Sequence, residues 1–354
     1  MFYASDLHLD DLPLPRRPGQ LWALLHEESP RNVPYIMHDS VLKHFNMTST
    51  FSRYSDFPLT THHLKHLKDL SSPKYLVPVG QKTMLRSSEK LAPIAFLQSD
   101  CDTLSGREDY VKELMKYVQV DSYGTCLHNR DLPESLTKDY LNNLYADELQ
   151  HFLGCYKFII AYENGVCEDY ITEKFWGPLL VGSVPIYYGS PTIRDWLPNN
   201  KSAILINDFE SPEKLAEFIK KLDANDLEYN TYLDHKYDMV EPIRNQRLKK
   251  EYEQLDENVF GEFECFLCRS LKTRYRYAPT ENYMADSKHF KCPMPPPYPR
   301  MSNKPRNYEE WQSILQVGKC QAYALDKLLQ KNVKFSKAEF DQLTETEYEN
   351  CLNI

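Results

Sequence analysis

The sequence predicts an α/β fold built on parallel, Rossmann-like sheets, and three observations predict it. Short apolar runs recur at 94–99, 118–124, 157–162, 184–188 and 202–208. Helix-like stretches fall between them, as βαβ units require. The connections carry polar turn and cap residues rather than long low-complexity segments.

Taken in order, the first segment to about residue 90 alternates strand-like runs with polar loops. LWALLH (21–26) reads as a strand, EESPRN as the turn after it, and 74–90 as a crossing segment. From Leu91 the pattern becomes regular. IAFLQS is a strand, DCDTLSGR a loop, and Glu108–Val118 an amphipathic helix with Tyr110, Val111, Leu114 and Val118 on one face. VQVDSYG is a strand, Tyr140–Leu153 a helix, and Lys157–Tyr162 a buried strand. A helix follows from Ile171, then strands at 184–188 and 202–208. Ser211-Pro212-Glu213 opens a helix to Leu222, with serine as N-cap and proline at the first helical position. Three parts result: 1–90, 91–270, and a Pro-interrupted extension over 271–354.

With 354 residues the chain can hold two ordinary domains. Lys and Arg total 42 against 51 Asp and Glu, so no basic surplus argues for nucleic acid. No stretch approaches a transmembrane span, and MFYASDLHLDDLPLP lacks the blocks of a signal peptide. Nine cysteines and the sequons at Asn46 and Asn200 instead fit a lumenal, disulfide-bearing protein, with buried free thiols as the plainer alternative. Cys265 and Cys268 form a CxxC with no second ligand pair nearby to suggest zinc.

The block at 156–190 carries the chemistry. Its turn and first helical residues gather Asn164, Tyr170, Glu173 and Lys174. A strand end feeding a helix N-terminus favours anions, because free backbone N–H groups and the helix dipole both meet negative charge there. A lysine neutralises phosphate while a carboxylate and a phenol bind sugar hydroxyls, so a nucleotide sugar fits. The plainer alternative is a solvated charge pair on an ordinary β-turn-α connection. The DxD at Asp100-Cys101-Asp102 is compatible with a metal under a diphosphate, but so short a pattern reads better as a solvated loop.

YENGVCEDYITEK followed by GSVP at Gly182–Pro185 resembles the donor motif of the GDP-fucose-using α1,3-type fucosyltransferases. SDCDTLSGR, ending at Arg107, is similar to that family's loop after the first donor-domain strand. Trp22, Glu28-Ser29-Pro30, Phe45-Asn46-Met47-Thr48 and Arg53-Tyr54-Ser55-Asp56 resemble its N-terminal motifs. The resemblance runs from about residue 15 to 270.

It implies a GT-B architecture, with an acceptor-side lobe (1–90) and a GDP-fucose lobe (91–270) facing a cleft. It implies inverting fucosyl transfer with Glu28 as general base, Glu27 being the rival across the strand end. Arg107 and Lys174 would meet the diphosphate, and Asn164, Tyr170 and Glu173 the ribose or fucose hydroxyls. No metal or other cofactor is implied. Cys265 and Cys268 match cysteines that are disulfide-bonded in relatives to residues near the domain start, and no cysteine here precedes Cys101. An anchor, a stem and the first β-α unit are therefore expected upstream of Met1, with the N-terminal lobe of this form incomplete.

Details such as VDSYGTCLHNRDLP resemble the divergent branch numbered ten and eleven in that family. That implies O-fucosylation of Ser or Thr in EMI-module proteins, in the endoplasmic reticulum or Golgi lumen. The second expectation is α1,3-fucosylation of N-acetyllactosamine on N-glycans. A third is an impaired truncated form acting as a binding module, and a poorer one is a cytosolic nucleotide-binding enzyme.

Overall fold

The computed structural model describes residues 1–29, 32–60, 62–136, 144–253, 258–277, 284–293 and 298–352. Two all-parallel sheets form its frame. The first joins β1 (Phe2–Tyr3), β2 (Ala23–His26) and β3 (Met47–Thr50) in that order, with Leu24 opposite Thr48. The second joins β4 (Ile94–Phe96), β5 (Val120–Ser122), β6 (Phe158–Tyr162), β7 (Val184–Tyr188) and β8 (Ile204–Leu205) in the order β5-β4-β6-β7-β8. Every residue of β6 and β7 is buried, which is why they read as unbroken apolar runs rather than alternating ones. The strand order reverses between β4 and β6. In doubly wound sheets a ligand crevice opens there, outside the carboxyl ends of those strands.

The helices are α1 (Asp39–Leu42), α2 (Val79–Ser88), α3 (Arg107–Leu114), α4 (Asp147–Gly154), α5 (Glu173–Val181), α6 (Pro212–Asp223), α7 (Asp226–Asn230), α8 (Asp234–Tyr237), α9 (Gln246–Tyr252), α10 (Val259–Tyr277), α11 (Tyr308–Lys331), α12 (Lys337–Thr346) and α13 (Tyr348–Leu352). The two sheets with their helices give the α/β class expected. Ser211 caps α6 by accepting from Lys214 N, as its sequence implied.

Several boundaries differ. The helix expected from Ile171 begins at Glu173, because Thr172 is its extended N-cap. The helix expected over 140–153 is α4 at 147–154, and residues 137–143 lie outside the described residues. The crossing segment at 74–90 contains the helix α2, whose one buried residue is Lys82. A lysine on the inner face leaves no apolar period to read.

The C-terminal extension packs against both lobes. Leu325, Leu328 and Leu329 of α11 share a core with Ile36, Val41 and Leu42 of the first lobe. Asp326 accepts from Lys43 Nζ at 2.6 Å and pairs with His44 Nε2 at 2.7 Å. At the other end of α11, Asn307 Nδ2 and Trp311 Nε1 donate to Asp102 of the second lobe at 2.7 and 3.0 Å. Among the described residues no helix is long and apolar enough to cross a membrane.

Candidate functional site

The site grows from one unit, β6–turn–α5. Thr172 holds the first turn of α5: its Oγ1 accepts from Lys174 N at 3.3 Å. Beneath it the buried Glu163 carboxylate accepts from Thr172 N at 2.9 Å and from Thr172 Oγ1 at 2.7 Å. At the far end Gly182 (φ 70°) closes the helix in the left-handed conformation that glycine adopts without strain. Three basic side chains meet the last carbonyls of α5 and its cap. Lys82 Nζ donates to Gly182 O at 2.6 Å, Lys236 Nζ to Leu180 O at 2.8 Å, and His235 Nε2 lies 3.2 Å from Leu179 O. Burial lowers both lysines to about 7. The negative end of the helix dipole is thus occupied, while the positive end faces the crevice.

That crevice has a volume of about 210 Å³ and is lined by Gln98, Ser99 and Asp100 after β4 and by Glu173, Lys174 and Gly177 of α5. It sits where the strand order reverses. Lys174 Nζ lies 2.7 Å from Glu173 Oε1 and 3.3 Å from Thr172 Oγ1. Burial raises the Glu173 carboxyl, but Lys174 and His63 outweigh it and hold it at about 2. His63 Nδ1 stands 3.6 Å from Glu173 Oε2, and burial keeps its imidazole neutral, at about 4. A larger cavity of about 680 Å³, lined by His62, His63, Tyr75 and Tyr145, adjoins the crevice through their shared wall at Glu173.

Glu28 enters from the facing lobe. Burial raises its carboxyl above the usual range; Lys174 pulls it down, while Glu27 and Glu173 push it further up. Glu27 is committed elsewhere, because Tyr3 Oη donates to its Oε1 at 2.7 Å. The pair therefore differs in environment, Glu27 bonded to Tyr3 and Glu28 within the electrostatic reach of Lys174 on α5.

The other expected residues are placed unevenly. Tyr170 is buried; its hydroxyl donates to Asn164 Oδ1 at 2.9 Å and its ring meets Phe51 of the facing lobe at 5.0 Å. Asn164 and Tyr170 are thus bound to each other beside Gly165, where a Cβ would lie 3.2 Å from Ser29 Cβ. Arg107 is only 1% exposed, and its Nη1 donates to Tyr162 O at 2.8 Å. It does not line the crevice as expected but sits behind it, and its Nε has no hydrogen-bond partner among the described residues.

The sequence did not signal the clamp between the lobes. Arg53 Nε donates to Asp169 Oδ2 at 2.7 Å and Arg53 Nη1 to Asp195 Oδ2 at 2.8 Å. Asp169, at φ 64°, also accepts from Trp196 Nε1 at 3.0 Å and Thr192 Oγ1 at 2.8 Å. Burial raises the Asp169 carboxyl, but the bonds from Arg53 and Thr192 win and hold it below its ordinary value. A depressed carboxylate contributes stability above its unfolded pKa, and that contribution is lost as pH falls through the folded one. Asp169→Ala, which leaves the Arg53 guanidinium without its main partner, is expected to cost about 3–5 kcal/mol of unfolding free energy at neutral pH. The difference from wild type shrinks as pH falls below the ordinary carboxylate range and through the depressed folded value; urea titrations at neutral and strongly acidic pH measure it.

Three disulfides join described residues: Cys101–Cys126, Cys167–Cys292 and Cys320–Cys351. Cys265 and Cys268, the expected disulfide candidates, are free and exposed on α10. They stand three residues apart on an exposed helix face, away from the bonded cysteines. Cys167–Cys292 ties the turn between β6 and α5 to the C-terminal extension. Asn200 is exposed, whereas Asn46 is half-buried with its Oδ1 accepting from Trp22 N at 3.0 Å. No cluster of three or more metal-ligating side chains occurs among the described residues.

Comparison with known proteins follows the same lines. A family model described as glycosyltransferase family 10 (fucosyltransferase), C-terminal part, matches residues 87–285. The chain is 49% identical to alpha-(1,3)-fucosyltransferase B of Drosophila melanogaster, over 100% of this chain and 81% of that protein. It is 45% identical to GDP-fucose protein O-fucosyltransferase 3 of Rattus norvegicus and 42% identical to that of Homo sapiens, each over 96% of this chain and 73% of the other. A crystal structure of alpha1,3-fucosyltransferase with GDP-fucose is a distant likeness, 17% identical with a TM-score of 0.41, covering 71% of this chain and 80% of that one.

Proposed function

The chain belongs to glycosyltransferase family 10, and from that premise we propose that it carries L-fucose from GDP-fucose to a protein hydroxyl, with inversion at the anomeric carbon. It is a fucosyltransferase, and GDP-fucose is its donor. One observation supports it: the first turn of α5 carries Lys174 into the crevice at the switch between β4 and β6, and Lys174 lowers the proton affinity of Glu28 from the facing lobe. Diphosphate charge developing as the sugar leaves falls on Lys174 and the helix N–H groups. Arg107, with a buried nitrogen still lacking an acceptor, supports the same end of the donor from behind. Asn164, Tyr170 and Glu173 orient ribose or fucose hydroxyls. Glu28, its proton affinity raised by burial, takes the acceptor proton as the oxygen attacks the oxocarbenium-like centre.

The acceptor reading is Ser or Thr of an EMI-module protein. Its support is the 45% identity to a protein O-fucosyltransferase and the cavity of about 680 Å³ beside Glu173, roomy enough for a loop of a folded protein. The similarity to an alpha-(1,3)-fucosyltransferase at 49% keeps N-glycan GlcNAc as the second reading. Three disulfides fit an oxidising lumen of the endoplasmic reticulum or Golgi.

Metal is not needed on this reading. Asp102 of the DxD is held by Asn307 and Trp311, which leaves it turned to the C-terminal helix rather than to a diphosphate. EMI-module protein and biantennary glycan, each offered with labelled GDP-fucose with and without excess chelator, test the whole reading. Label is expected on the protein, at an unchanged rate in chelator. Label on the glycan alone, or activity restored only by manganese, would reject the acceptor or the metal-free reading respectively.

A further inference from the structure

Glu163 stands one residue past β6 and is fully buried. Its backbone is fixed on both sides: its N–H donates to Tyr188 O at 2.8 Å, and Ser105 Oγ donates to its carbonyl at 2.7 Å. The side chain is packed as tightly. A Cβ on Gly189 would fall 2.5 Å from Glu163 Cγ, so that position has room for glycine alone. Both carboxylate oxygens go to Thr172, the N-cap of α5, whose hydroxyl in turn lies 3.3 Å from Lys174 Nζ. A continuous chain thus runs from Glu163 through Thr172 to the lysine at the crevice.

The charged and titratable groups that face this carboxylate are Lys174 and Glu173 from α5, Arg107 from α3, and the phenols of Tyr170 and Tyr187. Only Lys174 and Arg107 are cations. On the donor reading Lys174, which lines the crevice, meets the diphosphate, while Arg107 stays behind it against Tyr162 O. When a dianion arrives at the same helix end, the carboxylate must share Lys174 with it and gains a like charge nearby.

We propose that Glu163 is a positioning residue that sets the N-terminus of α5 through Thr172 and takes up one proton when the donor diphosphate binds. The inference rests on the donor reading above. The geometry accommodates the proton without disturbing the cap. A neutral Glu163 donates from Oε2 to Thr172 Oγ1, on the lone pair that Lys174 Nζ vacates as it turns to the diphosphate, and still accepts Thr172 N–H at Oε1. The Thr172 hydroxyl hydrogen, no longer held by the carboxylate, becomes free to turn toward the crevice. The only bond formed is the O–H of the carboxyl, and the proton comes from solvent. Burial, the largest cause, already raises this carboxyl to about 7 against the lowering by Lys174 and Thr172, so the free enzyme is poised to respond.

Calorimetry of GDP-fucose binding to the full chain, without acceptor, in buffers of different ionisation enthalpy counts the protons. GDP-fucose is the right probe because its diphosphate is esterified at both ends and does not titrate near neutrality. Uptake approaching one proton per donor is expected just above pH 7, with affinity falling by up to about tenfold per pH unit beyond it. Glu163→Gln is expected to bind without uptake and to flatten that pH dependence. Should Glu163→Gln fail to fold, Thr172→Val serves: it removes one donor to the carboxylate and should move the pH of maximal uptake upward. Binding with no proton uptake in wild type, or uptake unchanged in Glu163→Gln, overturns the inference alone. No binding of GDP-fucose at any pH overturns the donor reading and the inference with it.

Discussion

Glu28→Gln is expected to reduce kcat by about 10²–10⁴-fold, the range that a positioned general base supplies, while the Kd for GDP-fucose stays near that of wild type. The split follows from position. Glu28 comes from the lobe opposite α5 and is reported by its electrostatic coupling to Lys174, not by any bond to the helix. Glutamine keeps the shape and loses the base. Because burial raises the Glu28 carboxyl, the acid limb of kcat should lie above the ordinary carboxylate range. Transfer is lost as pH falls through that value, and the limb should vanish in the residual activity of the variant. Glu27→Gln is the control: its carboxylate is held by Tyr3, so its effect should be much smaller. Steady-state kinetics beside calorimetric donor binding decide the matter, and a Glu28→Gln enzyme with normal turnover would remove the base from Glu28.

Lys174→Ala should act on the donor instead. Hydrogen bonds to charged groups contribute about 1.5–3 kcal/mol, which corresponds to roughly 10–150-fold weaker GDP-fucose binding. A second consequence separates this cation from a merely structural one. Lys174 lowers the proton affinity of Glu28 and, with His63, holds Glu173 at about 2. Its removal should therefore move the acid limb of kcat toward higher pH as well as raise the donor KM. Lys174→Arg should recover part of both effects. Donor affinity equal to wild type in Lys174→Ala would place the diphosphate away from α5.

The unit from Lys157 to Tyr188 was legible because its determinants are local. Two strands buried on both faces read as apolar runs, the polar turn separates them, and Thr172 and Gly182 bound α5 at its two ends. Arg107 misled for the opposite reason. At the start of a helix after a strand it was expected to line the diphosphate site, yet tertiary packing buries it against Tyr162 O. Lys82 is the same lesson inverted: a polar segment that reads as a crossing loop is a helix whose inward lysine seeks the carbonyls of Gly182 and Tyr156. The extension beyond 271 was legible only as a Pro-interrupted segment, because its partners (Asp102, Lys43, His44, Cys167) lie far away along the chain.

The sequence by itself determined the α/β class, the strand–turn–helix–strand order around α5, and the residue types able to meet a nucleotide sugar. Hydrogen bonds to near neighbours and the alternation of apolar runs are written within a few residues of where they act. Only the tertiary structure decided that Glu27 is held by Tyr3, that Asp169 clamps Arg53 across the lobes, and that Asp102 serves the C-terminal helix. Each depends on which distant residue the folded path brings within a few ångströms, and no local pattern carries that distance.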